Sequence, residues 1–197
     1  MPLLGSFGVS SFGLGKLVAG GEVDSDYELI QSIALSSAGD ITFDLTGLNS
    51  TYHTLELRGS FRTTLADKDD AIGVRFNNDS TTSAYTRSTL DYSGGSVRAI
   101  SHALEYGRIG DASAANASGA VFFPISSIIN FPFNTNQYTS WIAMSGVYDN
   151  GTGYYRVSQD SGYWNNKTTV TAIKLFSASG ADLAIGTKAE LYGLKVV

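Results

Sequence analysis

The chain has 197 residues, of which 43 % are hydrophobic, 12 % aromatic and 16 % charged, and its formal net charge is −5. This composition supports a folded core and argues against bulk disorder, because disordered chains are poor in aromatic residues and rich in charge. The acidic balance and the lack of a Lys/Arg cluster argue against nucleic-acid binding. The absence of cysteine excludes disulfide scaffolds and thiolate metal sites.

The first 21 residues differ in composition from the rest of the chain. Gly and Ser alternate with Leu, Phe and Val, Lys16 is the single charge, and the glycines interrupt the apolar run that a signal peptide needs. A floppy tail is one interpretation. We favour a docking arm at 1–21, ahead of a β domain at 22–197, because its apolar side chains would otherwise form an exposed patch. The residues expected to anchor this arm on a neighbouring subunit are Leu3, Leu4, Phe7, Phe12 and Leu14.

Alternation of apolar and polar residues predicts strands from Tyr27 onwards. In 27–35 the apolar residues are expected to share one face, and 41–45 alternates in the same way. The clearest strand lies in 52–63, where Leu55, Leu57 and Phe61 share one face. One buried and one wet face are typical of antiparallel sheets. Further strands are predicted at 72–76, 85–91, 98–106, 120–130, 139–148, 154–159, 169–176 and 189–196.

The segments between these strands contain loop and breaker residues. A charged loop is predicted at 66–70, a polar loop at 77–83 and a short helical turn at 111–117. Pro124 predicts that its strand is an edge strand or carries a bulge. About ten short strands with almost no helix predict an all-β fold, an antiparallel two-sheet sandwich or a barrel. No apolar stretch reaches the roughly 20 residues of a membrane helix, so no membrane partner is expected.

The residues that could support catalysis are few and isolated. The two histidines, His53 and His102, have no metal-binding spacing, and surface or core roles are expected for both. The strand carboxylates Asp44, Glu56 and Glu105 are the candidates for a glycosidase pair, although Glu56 beside an arginine fits a charge pair better. We therefore expect no catalytic residues, no enzyme activity and no cofactor.

Two loops offer enough oxygen atoms to be tested as calcium sites. They are Asp67–Asp70 and Asp149–Gly153, and neither continues into the pattern of an EF-hand loop. Asn150 and Gly151 tolerate the positive φ angles of a hairpin turn. A turn is therefore the favoured interpretation of the second loop, and no metal site is predicted.

An aromatic group surrounds a loop rich in Gly and Asn. Flat rings beside Asn and Asp are typical of sugar-stacking surfaces, although large aromatic residues also dominate cores and interfaces. The position of Trp164 at a strand end favours a buried ring. The residues of this glycan-stacking hypothesis are Tyr154, Tyr155, Tyr163 and Trp164.

Several stretches in a fixed order resemble a known family. They are Tyr52–Gly59 with Arg62 and Thr63, Val74–Ser80 with Tyr85, Gly146–Gly153, Ser161–Asn166, Ala172–Leu175 and Leu191–Lys195. From about residue 27 to 197, the chain resembles a family of tailed-bacteriophage virion proteins, common in marine phages, with a jelly-roll-like β-sandwich.

The resemblance implies a non-enzymatic structural protein of the virion, and it carries over no catalytic residues. Its partners would be phage structural proteins, either the major capsid protein or tail proteins, and a homo-oligomer is expected in the particle. A short chain with an arm and no stalk favours a capsid decoration (cement) protein. The alternative is a tail or fibre component that recognises host glycans.

Overall fold

The computed structural model describes residues 26–48, 51–93, 95–149 and 153–195. Over these ranges the chain is an all-β sandwich of two antiparallel sheets, as the sequence predicts. The proposed arm at 1–21, with its anchor residues, lies outside the described residues.

The large sheet has eight strands in the order β1-β12-β3-β8-β9-β10-β5-β6. Every neighbouring pair is antiparallel. Its strands are β1 (Tyr27–Ala34), β3 (Tyr52–Phe61), β5 (Tyr85–Ser93), β6 (Ser96–Leu104), β8 (Phe123–Asn130), β9 (Ser140–Asp149), β10 (Tyr154–Trp164) and β12 (Lys188–Lys195).

The small sheet has four strands in the order β2-β11-β4-β7 and covers part of one face of the large sheet. A 3-10 turn, Ser118–Ala120, precedes β8. The strands of the small sheet are β2 (Ile41–Asp44), β4 (Asp69–Phe76), β7 (Gly107–Ser113) and β11 (Ala172–Ser177).

The core lies between the sheets and is built from the apolar parity of each strand. On β3, Leu55, Leu57 and Phe61 are fully buried while Arg58 on the other parity is exposed. Strands β2 and β4 bury their alternate apolar residues in the same way. The predicted faces of 41–45, 52–63 and 72–76 are therefore confirmed.

The strand β7 is the main feature that the sequence prediction missed. We predicted a helical turn at 111–117, but Gly107–Ser113 is a strand and the 3-10 turn comes later. All seven residues of β7 are buried, since it lies against β8, β9 and β10. A strand buried on both faces has no polar–apolar alternation, and this one includes Arg108 and Asp111 among its buried residues.

Three smaller predictions were also wrong. A bulge between Leu29 and Gln31 shifts the register of β1, so Leu29 is exposed and 27–35 does not keep one face. The predicted charged loop at 66–70 is too long, because Asp69 begins β4. Pro124 does not mark an edge: β8 lies between β3 and β9, and Pro124 is tolerated because the β9 ladder begins one residue later, at Ile125.

Candidate functional site

The four aromatic residues of the glycan hypothesis do not form one platform. Alternation along β10 places Tyr155 and Tyr163 on the face turned away from the small sheet, whereas Tyr154 and Trp164 are on the inner side. Tyr155 and Tyr163 are eight residues apart, about 27 Å along an extended strand. Tyr155 contacts Tyr92, with ring centroids 5.5 Å apart, and Tyr163 contacts Tyr138 at 5.6 Å.

The ring of Trp164 is buried, as its position at a strand end predicted. It is 1 % exposed and its Nε1 donates a hydrogen bond of 2.8 Å to Asp79 Oδ2. The ring packs on Phe76 with centroids 5.9 Å apart. Trp164 is therefore a core residue and offers no stacking surface.

The three candidate carboxylates each have a separate local contact. Asp44 Oδ1 accepts a hydrogen bond from the amide of Thr46, and Glu56 Oε1 lies 2.6 Å from Arg58 Nε. Glu105 pairs with an arginine at 3.8 Å. Each of these carboxylates has its own partner, so the charge pair expected for Glu56 is present and the three do not converge on one substrate position.

The histidines and the first calcium loop also have ordinary surroundings. His53 and His102 are both exposed, His53 with its ring edge-on to a phenylalanine. Asp69 Oδ2 binds an arginine, while Asp70 Oδ2 accepts hydrogen bonds from two serines. Within the described ranges, no group of three or more His, Asp and Glu side chains is arranged to hold a metal ion.

The second calcium loop falls mostly outside the described residues. Positions 150–152, which include the predicted turn residues Asn150 and Gly151, lie outside them. The flanking strands are nevertheless paired, since Tyr154 lies opposite Asp149 in an antiparallel ladder. This pairing is the arrangement that a hairpin requires.

A buried ion cluster between the sheets was not anticipated from the sequence. Strands β4, β5, β7 and β10 each contribute charged residues to it, and β6 adds one at its margin. The aspartates Asp91, Asp111 and Asp160 are at most 1 % exposed, and Arg108 is 6 % exposed. The ion cluster consists of Asp69, Asp91, Arg98, Arg108, Asp111, Arg156 and Asp160.

Arg156 is the centre of this cluster. Its guanidinium lies 2.5 Å from Asp69 Oδ2, 2.9 Å from Asp91 Oδ2 and 3.3 Å from Asp111 Oδ2. One side chain on β10 therefore binds carboxylates on β4, β5 and β7. Since β4 and β7 belong to the small sheet, these ion pairs connect the two sheets.

Arg108 and the hydroxyl groups complete the cluster. Arg108 Nη2 donates to Asp111 Oδ1, and its Nε lies 3.7 Å from Asp160 Oδ1. Asp160 also accepts a hydrogen bond of 2.5 Å from Thr89 Oγ1. The amide of Asp111 donates to Ser145 Oγ at 2.8 Å. The charged and hydroxyl donors around these buried carboxylates connect the strands, although Arg108 Nε, Asp111 Oδ2 and Arg156 Nε have ion-pair contacts without a hydrogen bond.

The environment shifts the aspartate pKa values in opposite directions. Burial raises the pKa of Asp111 above its usual value, and the positive charges of Arg108 and Arg156 oppose that shift. Burial also acts to raise the pKa of Asp91, but hydrogen bonds from Arg98 and Arg156 outweigh it and lower the pKa. As the pH falls, protonation of Asp111 therefore favours the folded state, whereas protonation of Asp91 disfavours it. A pH titration of stability can detect these opposite contributions.

An uncovered apolar surface lies on the outer face of the large sheet, the face turned away from the small sheet. Met144 is 60 % exposed, Val157 53 % and Leu90 51 %. They lie close together on neighbouring strands. Met144 of β9 and Leu90 of β5 are the cross-strand partners of Gln159 on β10, two residues from Val157. We define the apolar face as Leu90, Tyr92, Val97, Ile128, Ile142, Met144 and Val157.

This apolar face crosses β8, β9, β10, β5 and β6, about 19 Å at the usual strand spacing. Polar neighbours such as Ser88, Ser126 and Gln159 are uncharged, and the nearest charge is at its β3 border, where Glu56 lies opposite Ile128. The charges of the outer face lie instead on β3 and β12, where Arg58 pairs with Glu56 and Lys188 with Glu190. The outer face therefore divides into a charged half and an uncharged apolar half.

Comparison with known proteins adds no relative to these observations. No family model, no curated protein and no solved structure matches the chain. Among the residues that the structure describes, no helix is both long enough and apolar enough to cross a membrane.

Proposed function

We propose that the chain is a non-enzymatic structural protein of a phage particle, and specifically a capsid decoration protein that binds and stabilises the shell. The observation that carries this proposal is the uncharged apolar face of the large sheet. Exposed apolar groups of this kind mark surfaces that bind other proteins. The partner would be the major capsid protein, and the protein would function in the virion.

The strand order supports the jelly-roll part of the proposal. From β2 to β5 the chain alternates between the small and the large sheet, and β7 returns to the small one. Such crossings between two packed sheets are typical of jelly rolls, which are common in viral capsid domains. The ordered motifs from Tyr52–Gly59 to Leu191–Lys195 give independent support through their resemblance to phage virion proteins.

The proposed mechanism is burial of apolar surface rather than chemistry. Burial contributes about 25 cal/mol for each Å² of apolar area removed from water, before the cost of ordering is subtracted. Side chains such as Met144 and Val157, each more than half exposed, have most of this contribution still to gain. A contact of modest strength, repeated over many copies, would reinforce a shell.

Glutamate substitutions on the apolar face test the proposal. We expect Met144→Glu or Val157→Glu to lower the occupancy of the protein on shells assembled without it, because a carboxylate would have to be buried at the contact. The matched control is Ile185→Glu, since Ile185 is 62 % exposed but lies in the loop before β12. Co-sedimentation measures occupancy. Full occupancy by both face variants would contradict the proposal.

A glycan-binding tail module is a second candidate, and one observation favours it. Tyr92 is 41 % exposed and its ring lies 5.5 Å from that of Tyr155 at one end of the apolar face. Such a pair offers a surface on which a sugar ring could stack. A glycan array with the wild type and Tyr92→Ala separates the candidates: sugar binding that this variant loses would replace the decoration proposal.

A further inference from the structure

The edges of the two sheets differ in how well they are protected against pairing with another chain. An edge strand presents unpaired backbone N–H and C=O groups, and proteins protect such edges with short strands, bulges, charges or coverage. Among the described residues, the edges are β1 and β6 of the large sheet and β2 and β7 of the small sheet.

Three of these edges carry a recognisable protection. The bulge between Leu29 and Gln31 interrupts β1. Strand β2 has only four residues. Strand β7 is buried along its whole length, and the amide of Asp111 donates to Ser145 Oγ of the large sheet. None of the three offers a long, regular and accessible edge.

Strand β6 is the exception. It has nine residues and pairs with β5 without any register shift, from Tyr85 opposite Leu104 to Ser93 opposite Ser96. Seven of its nine residues are exposed, and it contains no Lys and no Pro. Its single formal charge, Arg98, donates hydrogen bonds from Nε and Nη2 to the two carboxylate oxygens of Asp91. This edge has neither a bulge nor a free charge to oppose pairing.

The ion cluster holds this edge in place. Arg98 Nε and Nη2 each lie 2.9 Å from Asp91, and Asp91 is itself bound by Arg156 of β10. The β5–β6 hairpin is therefore joined to the rest of the sheet through the Asp91–Arg156 ion pair as well as through its ladder. A rigid edge loses little conformational entropy when it binds, which favours association.

We propose that β6 is an interface at which a second copy of this chain pairs, antiparallel and edge to edge, about a twofold axis. Among the edges described, β6 is the unprotected one, so two copies can pair through unprotected edges only as β6 with β6. Self-complementary contacts of this kind are typical of twofold dimers. If the axis passes near Ile100, Arg98 lies opposite His102 of the partner subunit, so the two Arg98 side chains do not meet. This dimer does not depend on the particle assignment.

Lysine substitution at neighbouring positions tests the proposal. Ser101 and Ser88 are exposed cross-strand partners on the same face, but only Ser101 is on the edge strand. We expect the full chain to be a concentration-dependent dimer by light scattering. Ser101→Lys should raise its dissociation constant about tenfold or more, because like charges are brought close across the new ladder, while Ser88→Lys should leave it nearly unchanged.

Single cysteines give an independent readout, because the natural chain has none. If the axis passes near Ile100, Ile100→Cys should form disulfide-linked dimers under oxidation, whereas Val97→Cys and Ala103→Cys lie about 20 Å from their own copies and should not. Ser88→Cys is the control and should cross-link far less. The proposal is overturned if the chain is monomeric at the highest accessible concentration, or if its dimer is insensitive to Ser101→Lys and no β6 cysteine cross-links. Near-identical melting temperatures of the two lysine variants would exclude misfolding as the cause.

Discussion

Strands β4, β5 and β10 contribute to two regions of the core with opposite chemistry, one at each end of these strands. At one end Phe76, Tyr85 and Trp164 form an aromatic cluster with Trp141, with neighbouring ring centroids 5.9 to 6.3 Å apart. At the other end the same strands contribute Asp69, Asp91 and Arg156 to the ion cluster. The same three strands are therefore joined by ring packing at one end and by ion pairs at the other.

The two ends differ in what keeps them stable: the fit of neighbouring rings at one, and the pairing of buried charges at the other. Aromatic packing depends on shape, since the space for Trp141 comes from Gly107 and Gly162, where an added Cβ would lie 2.5 and 2.6 Å from the indole ring. The ion cluster is stable only while each buried charge keeps its partner, because an unpaired charge in a dry interior is strongly destabilising. The aromatic end therefore contributes stability through packing, and the charged end makes the sandwich sensitive to pH and to single charge removals.

The largest expected effect is at the aromatic end. Trp164→Ala should lower the free energy of unfolding by about 3–5 kcal/mol, the range for removing a large buried aromatic side chain. Urea unfolding at pH 7 measures the loss. Tyr163→Ala is the control, since Tyr163 is 39 % exposed and its removal should have a much smaller effect. Equal losses in the two variants would contradict the core assignment of Trp164.

A somewhat smaller loss is expected at the charged end. Arg156→Met should lower the free energy of unfolding by about 3 kcal/mol at pH 7, the low end of the range for breaking a buried ion pair, because the Arg156 side chain remains 16 % exposed. The loss arises because Asp69, Asp91 and Asp111 keep their charges without this partner. Arg98→Met is the control: the Arg98 side chain is 50 % exposed, so its loss should be smaller.

The pH dependence of stability in Arg156→Met and Trp164→Ala should separate the two ends. Without Arg156, the pKa values of Asp91 and Asp111 in the folded state rise above those in the wild type, so the folded variant binds protons more readily as pH falls. The cost of Arg156→Met should therefore shrink between pH 7 and pH 5. The cost of Trp164→Ala should change much less, since it removes no charge and only one hydrogen bond to the Asp79 carboxylate. Parallel losses at both pH values would argue against an ionised cluster.

The same contrast explains what the sequence could predict. Alternation identified the core face of β3 because Leu55, Leu57 and Phe61 are separated by residues on a solvated face. It missed β7, because Gly107–Ser113 is buried on both sides and includes an arginine and an aspartate. The burial of Trp164 was predicted from its local context alone.

The ion cluster and the β6 edge were not predictable in this way. Arg156 and Asp69 are 87 positions apart in the chain, and only the strand order brings them together. The exposure of β6 depends equally on its place at the end of the large sheet, which no local pattern encodes. The glycan hypothesis failed as a single platform for a related reason: alternation on β10 assigns Tyr155 and Trp164 to opposite faces.

The smallest expected effect concerns one hydroxyl group within the aromatic end. Tyr85 is fully buried, and its Oη accepts a hydrogen bond of 2.8 Å from the amide of Phe76. Tyr85→Phe should keep the ring packing but leave that buried N–H without its acceptor, at a cost of about 1–2 kcal/mol. Urea unfolding measures this loss, and amide hydrogen exchange at Phe76 should become faster. If stability is unchanged, packing alone holds the aromatic end, and the contrast with the charged end is sharper than proposed.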